Sequence, residues 1–459
     1  MEPVTHVLTG ACLARAGFNR RAAYATLTMA IAAELPDIDT LWSLRGPIEG
    51  FAHHRGITHT FVGLPFEAAA LVGGIYALHQ WRLSRARQRK PSPNQTSKPL
   101  TKAPVRWGWL YACALVALLS HLLLDYTNNY GVRPFYPFNT HWYAASIIFI
   151  FDPIIFCLLL VALTVPSIFG LISAEVGAKR QAFRGRGLAI AALLCIFGWW
   201  TLRYIEHQRA LEIAMLQSYQ QEQTPIAVPV PVAPAPDAST DTPPSADTTT
   251  STQDLSGTGT QTVTAADGTT SVITAPAPLQ TELVQPSPVI LTVQRALANP
   301  EPVNPFHWAV VMDYGPLYQL ATIEVRSGTV LTSEVTYPKL PTDDAIRAAQ
   351  FSPLGRAFLD WSSMPILTEN QPVVGAAKPS SRQVTFRDPR FMGSVSWLEL
   401  TGKTPLSGVV TINANGRVVQ QTLDGRVETH TPVLMTYVRL LQSVSLRQTA
   451  LQLLNRFTR

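Results

Sequence analysis

Five apolar runs crowd the first two hundred residues, at about 22–36, 59–81, 107–125, 143–172 and 187–205, and they constrain this chain more than any other feature. A helix needs roughly 20 apolar residues to cross ~30 Å of hydrocarbon. The runs therefore predict a mainly α-helical polytopic membrane domain with about five spans, the first short and the fourth long enough to tilt or bend. Only 14% of the 459 residues are charged, against about one quarter in soluble proteins, and the deficit is confined to these runs. A single soluble domain is excluded.

The net charge of +6 does not imply a nucleic-acid partner, because the basic residues gather in short loops between apolar runs. The loop from Arg82 to Arg106 carries eight of them and the loop from Glu175 to Arg186 carries four. Both are expected in the cytoplasm by the positive-inside rule. Segments 34–58 and 126–142, and everything after about residue 206, then face outward. Residues 3–16 fit this scheme only as a re-entrant helix that dips in from the outer face, turns near Arg20 and returns as the 22–36 segment. The beginning of the chain lacks the pattern of a removable signal peptide. All four cysteines (Cys12, Cys113, Cys157 and Cys195) lie in or beside apolar segments without CxxC spacing, so neither disulfides nor a cysteine-ligated zinc is expected.

These features predict a membrane-embedded domain over 1–206 and a helical extension over 207–222. From 223 to 288 the chain turns to Pro, Thr, Ala, Ser and Asp, with no aromatic residue between Tyr219 and Phe306, and is expected to form a disordered linker. Residues 289–459 predict a small β-rich extracytoplasmic domain, from alternating runs such as TIEVRSGTV, QVTF, SVSWLEL and SGVVTINANGRVVQQTL, the last with a hairpin signal at Asn415-Gly416. The tail from Val433 reads as an amphipathic helix.

Polar clusters sit at the ends of the spans, and the expected topology puts nearly all of them on one face. The first run ends in Glu34-Leu35-Pro36-Asp37-Ile38-Asp39, where Pro36 stops the helix and two carboxylates follow. They can bind a divalent metal or simply solvate a helix end. His53-His54-Arg55-Gly56-Ile57-Thr58-His59 places three of the ten histidines within seven residues. Neutral imidazoles suit a transition metal, and the Arg55 guanidinium can hold a phosphate. The third run ends in His121-Leu122-Leu123-Leu124-Asp125, whose i, i+4 spacing puts both ligand types on one helix face. Ionisable groups inside a span are functional by default. Asp152, in the apolar run before Pro153, either backs the site or caps a helix. His6 reaches the outer face only if residues 3–16 are re-entrant.

Metal ligands are thus sought among His6, Asp37, His53, His54, His59, His121 and Asp125, with Asp39, Arg55 and Asp152 in catalytic roles. This set suffices for two divalent ions, zinc or alternatively manganese, and the expected chemistry is metal-activated water cleaving a phosphoester or ester. Walker, Rossmann and serine-nucleophile motifs are missing from the sequence.

At Thr5-His6, Leu35-Pro36-Asp37-Ile38-Asp39, His53 to His59 and His121 to Asp125 the sequence resembles the membrane-bound, metal-dependent hydrolase family of bacterial inner membranes, over about the first 170 residues. Phe151-Asp152-Pro153, Asn304 to Trp308 and Arg387 to Phe391 are similar to longer members with an outer β domain. The resemblance implies an inner-membrane enzyme. More loosely, the order His, Asp, His, His-x-x-x-Asp is similar to zinc-dependent phospholipase C and single-strand nuclease sites, which implies His6, Asp37, His59 (or His54), His121 and Asp125 as ligands. An outward-opening site within the membrane suits a lipid or lipid-linked substrate. The alternative is a non-enzymatic metal-binding protein or envelope scaffold.

Overall fold

The computed structural model describes residues 2–88, 104–175, 185–222, 226–231, 260–264, 270–274, 279–284, 287–339, 343–370, 381–393 and 405–427. The chain divides into two compact units, one of Met1–Gln217 with Val293–Arg459 and one of Ser218–Thr292.

The first unit begins with α1 (Pro3–Ala16), which has Pro3 in its first turn and is capped by Glu2, whose carboxylate accepts the Val4 and Thr5 N–H groups. Gly17 ends it, a 3-10 turn over Phe18–Arg20 follows, and α2 (Ala25–Ala32) returns against it. The two helices touch backbone to backbone, since a Cβ on Gly10 would lie 2.2 Å from the Met29 carbonyl oxygen. Pro36 opens an unusually long 3-10 helix, Leu35–Arg45, which is followed by α3 (Pro47–His53), a 3-10 turn Ile57–His59 and α4 (Gly63–Gln88). Three long helices complete this part: α5 (Trp107–Thr127), α6 (Pro153–Glu175) and α7 (Arg186–Met215).

Among the described residues three helices are long and apolar enough to cross a membrane, within α5, α6 and α7, or four if the pair Pro47–His59 and Gly63–Gln88, bent by 82°, counts as one broken span. The five expected spans are therefore not all present as such. The 22–36 run yields only the eight-residue α2, about 12 Å of helix. The 143–172 run is helical only from Pro153, because residues 143–148 instead bond back to the chain after α5, through Val132 N–H to Tyr143 O (2.8 Å) and Ile147 N–H to Thr127 O (3.0 Å). Both basic loops lie largely outside the described residues.

The β region of this unit holds two antiparallel meanders. The first runs in the order β10-β9-β8-β7, from β7 (Arg295–Pro300), β8 (His307–Asp313), β9 (Leu317–Glu324) and β10 (Thr329–Pro338). The second is β11 (Ile366–Asn370), β12 (Ser381–Arg387), β13 (Gly408–Asn413), β14 (Val418–Leu423) and β15 (Arg426–Val427), in sequence order. Between them lie α8 (Asp344–Gln350) and α9 (Pro353–Trp361). The turn at Asn413–Arg417 joins β13 to β14, with Gly416 at φ +72°, where a side chain would be strained. Strand β13 alternates buried and half-buried residues, as one covered face requires, whereas β8 is buried from Trp308 to Asp313 and packs against α7. SVSWLEL (residues 394–400) and the expected C-terminal helix lie outside the described residues.

A shared core fixes the β region to the helices: Phe51, Tyr130, Phe358, Trp361, Phe386 and Phe391 pack together. Arg390 donates to the Asn129 (3.2 Å) and Tyr130 (3.4 Å) carbonyls and pairs with buried Asp388 at 2.8 Å. On the other side, Arg203 of α7 donates to the carbonyls of Glu301 and Asn304. Met1–Gln217 and Val293–Arg459 thus form one compact unit, and α7 passes unbroken through residue 206.

The second unit pairs β1 (Ser218–Gln221) with β6 (Val289–Thr292), β2 (Ile226–Pro231) with β5 (Leu279–Val284), and β3 (Thr260–Thr264) with β4 (Thr270–Thr274). The stretch expected to be a disordered linker therefore contains four strands. Its Thr and Val alternation favours extended backbone, and two-stranded pairing satisfies the N–H and C=O groups that face the partner strand without the core that its composition withholds.

Candidate metal centre

Four side chains from three elements converge inside the helical part: Asp37 from the long 3-10 helix, His59 from the turn before α4, and His121 and Asp125 from α5. Their ligand atoms all lie within 4.8 Å of one another. His59 Nε2 is 3.2 Å from Asp37 Oδ1, 3.5 Å from Asp125 Oδ2 and 3.1 Å from His121 Nε2. His121 Nε2 is 3.4 Å from Asp125 Oδ2 and 3.7 Å from Asp37 Oδ1. A tetrahedral ion with bonds of about 2.0–2.1 Å has ligand-to-ligand edges of about 3.3–3.4 Å, so these spacings fit one.

The imidazoles are held with their Nε2 lone pairs inward. His121 Nδ1 lies 2.7 Å from the Ala33 carbonyl oxygen, which can only accept, so Nδ1 carries the proton and Nε2 is left as the ligand atom. His59 Nδ1 faces Asp39 Oδ2 at 3.2 Å, a carboxylate behind an imidazole as metal ligands commonly have. Asp39 also accepts from the Arg55 N–H (2.6 Å) and approaches His54 Nδ1 at 3.1 Å. Burial pushes the Asp39 carboxyl up, but hydrogen bonds with His54 and His59 outweigh it and hold it below the usual carboxylate range.

His6 joins this group through α1. Its ring stacks on His121 with centroids 3.9 Å apart, and its Nε2 is 3.5 Å from Asp125 Oδ1. The residue is fully buried and neither ring nitrogen makes a hydrogen bond. Orphaned buried nitrogens are rare in folded proteins, and an ion is a natural partner. The charge tally points the same way: with neutral imidazoles, the three carboxylates of Asp37, Asp39 and Asp125 face the single guanidinium of Arg55, leaving two negative charges in a buried setting.

Several expected site residues occupy other positions. Arg55 is not an open anion hook: its Nη2 pairs with Asp125 Oδ1 at 2.8 Å and its Nη1 bonds Asn128 Oδ1 and the Gly131 carbonyl. Its guanidinium lies 4.7 Å over the Tyr130 ring and its backbone sits in the left-handed region, φ 53°, a conformation that persists only when the surroundings fix it. Arg55 therefore positions Asp125. His53 turns away from the group, stacked on Trp42 at 4.1 Å with Nδ1 on the Glu49 carbonyl. His54 stands behind Asp39. Asp152 caps α6, accepting the Ile154 and Ile155 N–H groups through Oδ1 and the Trp199 indole through Oδ2. The residue that Pro153 places first in the helix is preceded by a natural cap, so of the two roles open to Asp152 the structure shows the cap.

Two carboxylic acids beside the centre were not singled out from sequence. Glu34, in the turn after α2, has its carboxyl pushed up to about 8 by burial and by Asp37, and Oε2 is buried without a hydrogen bond. Both oxygens of Glu67, one turn into α4, are likewise buried without partners. An acid four residues into an otherwise apolar helix was the available signal. Among the described residues one His/Asp group meets metal-ligand spacing, where two ions were expected. Only Asp37 among its four residues is open to solvent, with 14% of its side chain exposed.

Residues 1–210, just under half of the chain, match the family described as YdjM inner membrane protein. Over 173 residues the chain is 26% identical to the uncharacterized protein YfhP of Bacillus subtilis (strain 168), a match covering 36% of this chain and 46% of that protein. The chain thus spans about half the length of that curated relative. No solved structure gives a significant match. The family match and the three candidate spans support a location in the inner membrane.

Proposed function

We propose that this protein is a multi-pass inner-membrane hydrolase that uses one divalent ion, zinc or manganese, held by Asp37, His59, His121 and Asp125 with His6 beside them, to cleave an ester or phosphoester. The observation that carries this reading is the pair of imidazoles whose Nδ1 atoms are engaged by Ala33 O and Asp39 while both Nε2 atoms face two carboxylates. When bound, such an ion supplies activation of water and stabilisation of charge on the ester oxygen. Asp39 orients His59, Arg55 holds Asp125, and the partly open Asp37 marks the side from which water and substrate reach the centre. The basic loops at 82–106 and 175–186 support an orientation in which the site and β region face outward.

Burial of three of the four ligands favours a second reading, a closed ion that only braces α5 against the turn before α4. One experiment separates these. Metal content and hydrolysis of ester and phosphoester substrates are measured for detergent-purified wild type and for His59→Ala and His121→Ala, with folding checked by gel filtration. The hydrolase reading expects about one equivalent of metal, lost in both variants together with metal-dependent hydrolysis. Bound metal without turnover on the panel would leave the bracing ion, and absence of metal from reconstituted wild type would end both readings.

A further inference from the structure

The 3-10 helix Leu35–Arg45 has eleven residues, and at three residues per turn its side chains eclipse at i, i+3. One stripe is Ile38, Leu41 and Leu44, all apolar and all exposed. The neighbouring stripe is Asp39, Trp42 and Arg45, which runs from the buried carboxylate behind His59 to an exposed guanidinium. A cleft of about 630 Å³ is lined by Ile38 and Leu41 of the first stripe, by all three residues of the second, and by Ile57 and Thr58. Arg45 lies 4.5 Å over the Trp42 ring, and Trp42 in turn stacks on His53. Among the described residues no ion pair engages Arg45, whereas Arg133, the other arginine of the cleft, is consumed by Asp360 and two carbonyls.

We propose that this cleft binds an anionic amphiphile, a lipid phosphate, with its anionic group on Arg45 and its apolar part along Ile38, Leu41 and Ile57. Charge complementarity selects the anion, and the continuous apolar stripe selects a lipid over a water-soluble phosphate. Six residues separate Asp39 from Arg45, about 12 Å at ~2.0 Å per residue. The anionic group is therefore an anchor at the far end of the cleft from Asp39, and any reaction takes place outside the cleft lining, which holds none of the four candidate ligands. This rests on the hydrolase reading for the reaction, but the binding step stands apart from it.

The test uses the full chain in detergent micelles, titrated with phosphatidic acid carrying a fluorescent acyl chain, with phosphatidylcholine bearing the same chain, and with glycerol 3-phosphate as competitor. Wild type should prefer phosphatidic acid. Arg45→Ala should weaken that lipid about tenfold, the scale of one hydrogen bond to a charged group, leave phosphatidylcholine unchanged and keep the wild-type metal content. Arg45→Lys should retain most of the affinity, and Leu41→Ser should weaken both lipids. Equal binding of the two lipids, wild-type affinity in Arg45→Ala, or displacement by glycerol 3-phosphate would overturn the proposal. An Arg45 effect in a protein that hydrolyses nothing would instead overturn the hydrolase reading alone.

Discussion

Replacing Asp39 with asparagine tests the centre where its orientation is set. Asp39 Oδ2 accepts the Arg55 N–H at 2.6 Å and faces His59 Nδ1 at 3.2 Å, and Oδ1 faces His54 Nδ1 at 3.1 Å. Asparagine has the same shape and keeps an oxygen for Arg55 and His59. It removes the charge that holds the proton on His59 Nδ1, and it turns an NH2 group toward His54. Loss of such a partner behind a ligating imidazole lowers metal affinity about 10- to 100-fold, or ~1.4–2.8 kcal/mol at 1.4 kcal/mol per tenfold. Alanine does more, because the buried Arg55 N–H is then stranded at a further cost of about 1–3 kcal/mol. Zinc affinity, read by competition with a chromophoric chelator in detergent, should therefore fall in both variants. The thermal midpoint of the metal-free protein should fall clearly in Asp39→Ala and little in Asp39→Asn. Wild-type zinc affinity in Asp39→Asn would refute the reasoning, since His59 would then need no partner behind it.

Three further substitutions probe the frame around the centre. Gly10→Ala puts a methyl group 2.2 Å from the Met29 carbonyl oxygen, so α1 must move off α2 and carry His6 with it; a lower thermal midpoint and weaker metal retention are expected, measured by scanning fluorimetry and elemental analysis. Asp152→Ala removes the α6 cap and should cost about 1 kcal/mol of stability with metal content unchanged; loss of metal would reinstate Asp152 in the site. Arg390→Met strands buried Asp388 and releases the Asn129 and Tyr130 carbonyls. Breaking a buried pair in this way costs about 3–5 kcal/mol, and the variant should show faster limited proteolysis across residues 343–393.

The parts of the site carried by local spacing were legible in the sequence. His121 and Asp125 share a face because the helix repeats every 3.6 residues, and Pro36 marks where the chain leaves α2 and begins the turn that presents Asp37. The density of histidine from His53 to His59 flagged the right segment but not the division of labour within it. His59 points inward, His54 stands behind Asp39 and His53 stacks on Trp42, a distribution decided by the left-handed turn at Arg55 and by partners up to 70 residues away. Arg55 was legible as a cation, but its neighbours Asn128 and Gly131 are visible only in the fold. The apolar runs indicated helices well where they were long. They misled at 22–36 and 143–152, where apolar sequence forms a short helix and an irregular segment bonded to the chain after α5 rather than one continuous helix. In the Thr-rich stretch, composition spoke to the lack of a core and was silent on paired strands, which need only backbone partners.

The contacts also give the β region a physical connection to the centre. Asp388 fixes the Arg390 guanidinium, and Arg390 bonds the carbonyls of Asn129 and Tyr130. Asn129 returns a side-chain bond to the Arg390 carbonyl, and Trp361 donates to Tyr130 O. That same segment supplies Asn128 Oδ1 and Gly131 O to Arg55, whose other Nη atom holds Asp125. Every step is a hydrogen bond between buried groups, and each removes a freedom that the next would otherwise keep. Asp125 is the residue on which this matters most, because its helix ends two residues later and the loop beyond is held by bridges to residues 143–148 and by these side chains. A carboxylate near a helix end needs such support to be a ligand for an ion that demands fixed geometry. The Arg-Asp-Pro-Arg-Phe motif, some 260 residues downstream, thus serves the centre without touching it, by making the loop after α5 rigid enough for Arg55 to hold Asp125 in one place.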